Sequence, residues 1–192
     1  MGIFRWVVFP VFLVMVAAGF NLAHANQYSD TVAVFAKSPA VKPFIDNCYG
    51  YAVFPTVGKG GFVVGGSYGT GQIYAQGKVT GTAKLIKATI GFQAGGQAFS
   101  QMVFFEDKRA YEEFTSGSFE FDAGVSAVAI TAGVQASAGT GGASAGASAG
   151  PATGAQAKTS YHKGMVVFVH AKGGLMYEAT VGGQKFIFEP KN

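Results

Sequence analysis

Residues Ile90 to Gly117 read IGFQAGGQAFSQMVFFEDKRAYEEFTSG, and the period of the pattern changes half-way along. The first half is apolar, aromatic and glycine-punctuated, and ends in Met102-Val103-Phe104-Phe105. That pattern predicts a strand long enough to cross a core, with Gly95-Gly96 marking a bulge or a close backbone approach. The second half predicts one amphipathic helix. Asp107 is placed to cap its N-terminus, Ala110, Tyr111 and Phe114 share a face, and Lys108, Arg109, Glu112 and Glu113 lie largely on the other. Gly117 follows, where a left-handed residue is wanted. A central strand therefore hands over to a helix, and the neighbouring segments are candidates to pair with that strand.

Upstream, Tyr28–Asn47 is the only other helical stretch, and Pro39 and Pro43 split it into two short helices. From Tyr49 the period becomes two. Tyr49–Phe54 reads as a strand ending at Pro55, and Gly60-Gly61 opens another at Phe62-Val63-Val64. Gly69-Thr70-Gly71 reads as a hairpin turn between Val63–Tyr68 and Gln72–Gln76. Val79–Ile90 is a further strand, although Lys84–Lys87 would also suit a short helix. Downstream, Phe119–Val134 and Tyr161–His170 read as strands. Lys172-Gly173-Gly174 turns into Leu175–Val181, and Gly182-Gly183 turns into Lys185–Phe188. Gln135–Ala157 is an Ala/Gly/Ser tract with little side-chain area to bury, expected to be a mobile loop. The class is α+β: a strongly twisted or barrel-like antiparallel sheet of about eight strands with two or three short helices.

Arg5, the apolar run Trp6–Phe20 and Ala23-His24-Ala25 together resemble a cleavable signal peptide over residues 1–25, leaving 26–192 as a single domain. An uncleaved anchor is the alternative, but the apolar run is short for a span of ~20 residues. Cys48 is the only cysteine and lies well inside the mature chain, so neither an internal disulfide nor a lipid-modified N-terminus fits. The address expected is a bacterial periplasm, without a lipid anchor. Charged residues are 12% of the chain, about half the usual ~25%, beside 29 glycines and 18 phenylalanines. The net charge of +4 is too small, and too little interleaved with aromatics, to argue for nucleic acid.

No catalytic constellation stands out. Gly65-Gly66-Ser67-Tyr68-Gly69 matches the nucleophile-elbow pattern, but a second strand follows it rather than the helix that motif needs, and the pattern recurs twice in the Ala/Gly/Ser tract. His162 and His170 lack a third ligand of the right type, and no phosphate-loop fingerprint occurs. Neither a metal nor a cofactor is expected. Lys78, Lys84 and Lys87 are the feature with a functional reading. Three lysines in a charge-poor segment either protect a sheet edge or form a basic patch for an anionic head group, with Tyr68, Tyr74 and Phe92 as aromatics able to insert.

Several blocks resemble the SYLF lipid-binding domain. Asp46–Pro55 is similar to its A-x-G-x-A-x-F-P opening, and Gly60–Gly66 followed by Gly69-Thr70-Gly71 to its next segment. Gly91–Gln97 resembles its G-x-Q-x-G core strand, and Tyr161 with Gly164, at a spacing one residue shorter, its Y-x-x-x-G element. The blocks keep the family's order across Tyr28–Phe188. Two departures stand out: Gly81–Ala88 occupies the place of a W-x-x-P-like element, and the N-terminal basic segment has only Lys37 and Lys42. The resemblance implies a non-enzymatic phospholipid- or phosphoinositide-binding module. Eukaryotic members also engage actin, a partner that does not suit an exported protein, so bulk anionic phospholipid is the expected ligand. A small outer-membrane β-barrel and a serine hydrolase using Ser67 are the alternatives.

Overall fold

The structure, a computed structural model, describes residues 27–61, 64–90, 97–122, 125, 127–130, 160–172 and 181–191. Helices α1 (27–36) and α2 (Lys42–Asn47) precede β1 (Gly50–Gly61), β2 (Val64–Ala75), β3 (Lys78–Ile90) and β4 (Gln97–Phe105). Then come α3 (Lys108–Phe114), β5 (Ser118–Glu120), β6 (Val128–Ile130), β7 (Met165–Lys172) and β8 (Lys185–Pro190). The strands form one sheet in the order β5-β8-β3-β2-β1-β4-β7-β6. Every pair is antiparallel except β6–β7, so the sheet is mixed. It is twisted but does not close.

The strand-to-helix handover stands where the period change puts it. The Asp107 carboxylate accepts from the Ala110 backbone N–H at 2.8 Å, α3 buries Ala110 and Phe114, and Gly117 has φ +115°. Pro39 lies between α1 and α2, and Pro43 sits in the first turn of α2, where its missing N–H costs nothing. Gly95-Gly96 and the Ala/Gly/Ser tract lie outside the described residues.

β4 is buried from Phe99 to Phe105, and its alternation splits two cores. Phe99, Gln101, Val103 and Phe105 face inward with Ala52, Phe54, Leu85, Val167 and Phe186, and α3 covers them. Ser100, Met102 and Phe104 face outward; Met102 and Phe104 pack with Phe168 under Phe35, Val41 and Phe44 of the α1–α2 segment. The inner face is concave. Gln101 on β4 and Gln184 beside β8 are four strand spacings apart, roughly 19 Å on a flat sheet. Their amides nevertheless exchange hydrogen bonds of 2.8 and 3.2 Å.

Three expectations change. Gly69-Thr70-Gly71 is no turn: β2 runs straight through it, and the hairpin turn is Gln76-Gly77, with φ of 49° and 75°. The glycines serve packing instead. A Cβ on Gly69 would stand 2.8 Å from Val57 Cγ2, and one on Gly71 would stand 2.5 Å from the Phe54 ring. Pro55 does not end β1, because the register shifts around Pro55 and Thr56 and a bulge absorbs the missing donor. Among its described residues, Phe119–Val134 is strand only in β5 and β6, three residues each, and Phe119 and Phe121 turn into the aromatic cluster around Phe186. Val79–Ile90 is a strand as expected, with Lys84–Lys87 inside β3 and the helical alternative not taken.

Candidate functional site

Directly opposed residues on neighbouring strands share a face, so the register gives the outer surface row by row. One row reads Lys172, Ala98, Gly58, Tyr68, Ile86, Lys185, from β7 across β4, β1, β2 and β3 to β8. Glu120 of β5 pairs with Lys185 at its far end. Helices α1 and α2 cover the outer face of β4 and β7, and Tyr28 of α1 reaches across to Thr70 on β2, but among the described residues the Tyr68–Ile86 stretch of β2 and β3 stays exposed. There Tyr68 is 56% and Ile86 42% exposed, the two exposed large apolar side chains among the described residues. Between Lys172 and Tyr68 the floor is Ala98 and Gly58, and a Cβ on Gly58 would meet nothing within 4 Å.

The six residues singled out from sequence do not form one patch. Tyr68 and Lys84 share the outer face, and Lys84 is ion-paired with Glu189, which raises its pKa. Lys87 lies on the other face, opposite Ser67, because an odd spacing reverses direction in a regular strand. Lys78 opens β3 beside the Gln76-Gly77 turn, eight residues and roughly 26 Å from Ile86. Tyr74 is half-buried: it stacks on Tyr51 at 4.8 Å and donates its hydroxyl to Gln72 Oε1 at 2.5 Å. Phe92 lies outside the described residues. Ser67 is 6% exposed in the middle of β2, without the strand-to-helix turn of a nucleophile elbow. Among the described residues no helix is long and apolar enough to cross a membrane, and no group of acids, histidines or cysteine is placed to hold a metal ion.

A cleft of about 470 Å³ opens beside the Lys172 end of the row, between α1 and strands β4 and β7. Gln27, Asp30 and Thr31 line it from the helix, and Ser100, His170 and Lys172 from the sheet. Thr56 ties the two walls together, accepting from Lys172 Nζ at 2.7 Å and from Gln27 Nε2 at 3.5 Å. Ser100 donates to the Pro55 carbonyl at 2.8 Å, and Thr31 to Gln27 O at 2.8 Å. His170 lies edge-on to Phe35; burial first, and Lys172 second, push its pKa down. Sequence reading missed this group because its members are scattered singly through the chain. The period-two pattern of β7, which puts His170 and Lys172 on one face, was the available signal.

No family model matches the chain. A curated protein of Aeromonas veronii named Beta cell expansion factor A is 26% identical over 166 residues. The match takes in 84% of this chain and 54% of that protein, so the chain spans about half the length of the relative it matches. The chain therefore has a distant bacterial homologue across most of its length.

Proposed function

We propose that this protein is an exported, non-enzymatic module of the SYLF type that binds anionic phospholipid at a membrane surface through the exposed Tyr68–Ile86 part of the outer face of its sheet. The observation that carries this reading is the exposed Tyr68–Ile86 pair, set in a low row with Lys172 at one end and Lys185 at the other. The blocks resembling the SYLF domain support it, as does the bacterial relative. Two half-exposed apolar side chains contribute roughly 1 kcal/mol each on insertion. Each lysine near an anionic surface adds about 1 kcal/mol, less at Lys185, which stands opposite Glu120. A total of about 4 kcal/mol corresponds to about millimolar affinity for a single contact.

Sedimentation with phosphatidylglycerol vesicles tests the reading. The parent should co-sediment and be released by salt, and phosphatidylcholine vesicles should leave it in solution. Replacing Tyr68 and Ile86 together by Ser should abolish co-sedimentation and leave the melting temperature unchanged. Equal binding by that variant refutes the outer face as the site. Export is part of the same proposal, and an N-terminus starting after Ala25 in the protein recovered outside the cytoplasm checks it.

A further inference from the structure

The cleft beside Lys172 belongs to the same face as the exposed pair, and its chemistry is more selective than a basic surface. We propose that it is a pocket for one anionic phosphodiester head group, with the phosphate at Lys172 and His170 and the head-group hydroxyls at Asp30. The inference rests on the lipid reading above for the natural source of that phosphodiester.

The donors are present and partly unspent. Lys172 uses one of its three N–H donors on Thr56, Gln27 one of its two amide hydrogens on the same oxygen, and His170 contributes a ring nitrogen. The hydroxyls of Ser100 and Thr31 already donate to backbone carbonyls, so toward a ligand they act as acceptors. Asp30 adds an exposed carboxylate at the helix wall, which accepts from glycerol hydroxyls and repels a second phosphate. A site with one cation, one titrating imidazole and one carboxylate suits a singly charged, hydroxyl-bearing phosphodiester better than a polyphosphate. The volume of about 470 Å³ accommodates such a group.

The row gives the rest of the molecule a path. Lys172 is three strand spacings from Tyr68 and four from Ile86, roughly 14 and 19 Å. Ala98 and Gly58 between them raise nothing taller than a methyl group. A phosphate held at Lys172 thus directs the glycerol and first methylenes along a shallow track to the apolar pair.

The charged groups around His170 are Lys172 on its own strand and Asp30 on α1; the cleft residue on β4, Ser100, is neutral. Burial and Lys172 hold the imidazole neutral, and an incoming phosphate anion opposes both. Binding therefore takes up a proton at His170 and tightens as the pH falls below neutral. A phosphodiester keeps its single charge over that range, so the dependence belongs to the protein.

The test titrates the purified protein with glycerophosphoglycerol, the chain-free head group of phosphatidylglycerol, following heat and the His170 ring resonances. Saturable binding is expected, tighter at acid pH. Lys172→Gln should weaken it at least about tenfold, the loss of one charge-assisted hydrogen bond. His170→Gln should flatten the pH dependence; melting temperatures confirm that both variants fold. No saturable binding, or binding that Lys172→Gln leaves intact, overturns the pocket. The Tyr68/Ile86 vesicle experiment decides the surface reading separately, since it does not touch the cleft. If saturating glycerophosphoglycerol displaces the protein from phosphatidylglycerol vesicles, the source of the phosphodiester is the lipid. If vesicle binding is unchanged with the pocket filled, the pocket stands and serves a soluble phosphodiester.

Discussion

Replacing Gln101 by Leu tests whether the sheet is held in its curl by a polar clasp. Gln101 and Gln184 are both essentially inaccessible, and each amide donates to the other. Tyr161 Oη is the buried side-chain polar atom without a partner among the described residues, so both glutamines are satisfied as they stand. Gln101→Leu removes both bonds and leaves the Gln184 amide buried among Phe54, Phe186 and their neighbours. An orphaned buried amide costs about 1–3 kcal/mol. With a shift of roughly 2–4 °C per kcal/mol for a domain this size, a cost near 2 kcal/mol lowers the melting temperature by roughly 4–8 °C. Gln184→Leu should cost about the same, for the same reason.

The double variant carries the argument. Removing both amides leaves no orphan, and a leucine pair of similar length fills an apolar space, so it should lie within about 1 kcal/mol of the parent. Thermal and urea melts of the four proteins give the coupling directly. Additive losses, or a single-variant cost under about 0.5 kcal/mol, would refute the clasp. Either result would mean that the β3–β8 ladder and the aromatic contacts of Phe186 hold the curl without the glutamine pair.

Gly71→Ala should destabilise by about 2 kcal/mol, in the range of overpacking, because its Cβ would stand 2.5 Å from the Phe54 ring and 2.8 Å from the Val53 carbonyl. Shortening the ring with Phe54→Leu should recover part of that loss, and two additive losses would disprove the contact. Stability should also fall at alkaline pH through Tyr51, whose pKa burial and the neighbouring Tyr74 push up to about 12. A phenol more acidic unfolded than folded contributes stability that is present below pH ~10 and lost as the pH rises toward 12. Tyr51→Phe should flatten that slope in melts taken between pH 9 and 12; an unchanged slope assigns it elsewhere.

The elements were legible where local chemistry acts alone. Asp107 caps α3 because a carboxylate beside three free N–H groups needs no tertiary help, and Pro39 ends α1 wherever the chain goes next. Function depends instead on register, which is tertiary. Lys78, Lys84 and Lys87 are neighbours in sequence, yet a hairpin end and two opposite faces separate them, while Lys172 and Tyr68, 104 positions apart, are brought into one row only through Ala98 and Gly58. Pro55 makes that meeting possible. Ala52 and Phe54 face inward, and strict alternation would next bury Thr56 and Gly58 and expose Val57. The bulge at Pro55 and Thr56 inserts one residue and reverses the order. Val57 then enters the core, Thr56 bonds Lys172 and Gln27, and Gly58 becomes the open floor between cleft and exposed pair. The residue that reads as the end of a strand is therefore the one that aligns the two halves of the site.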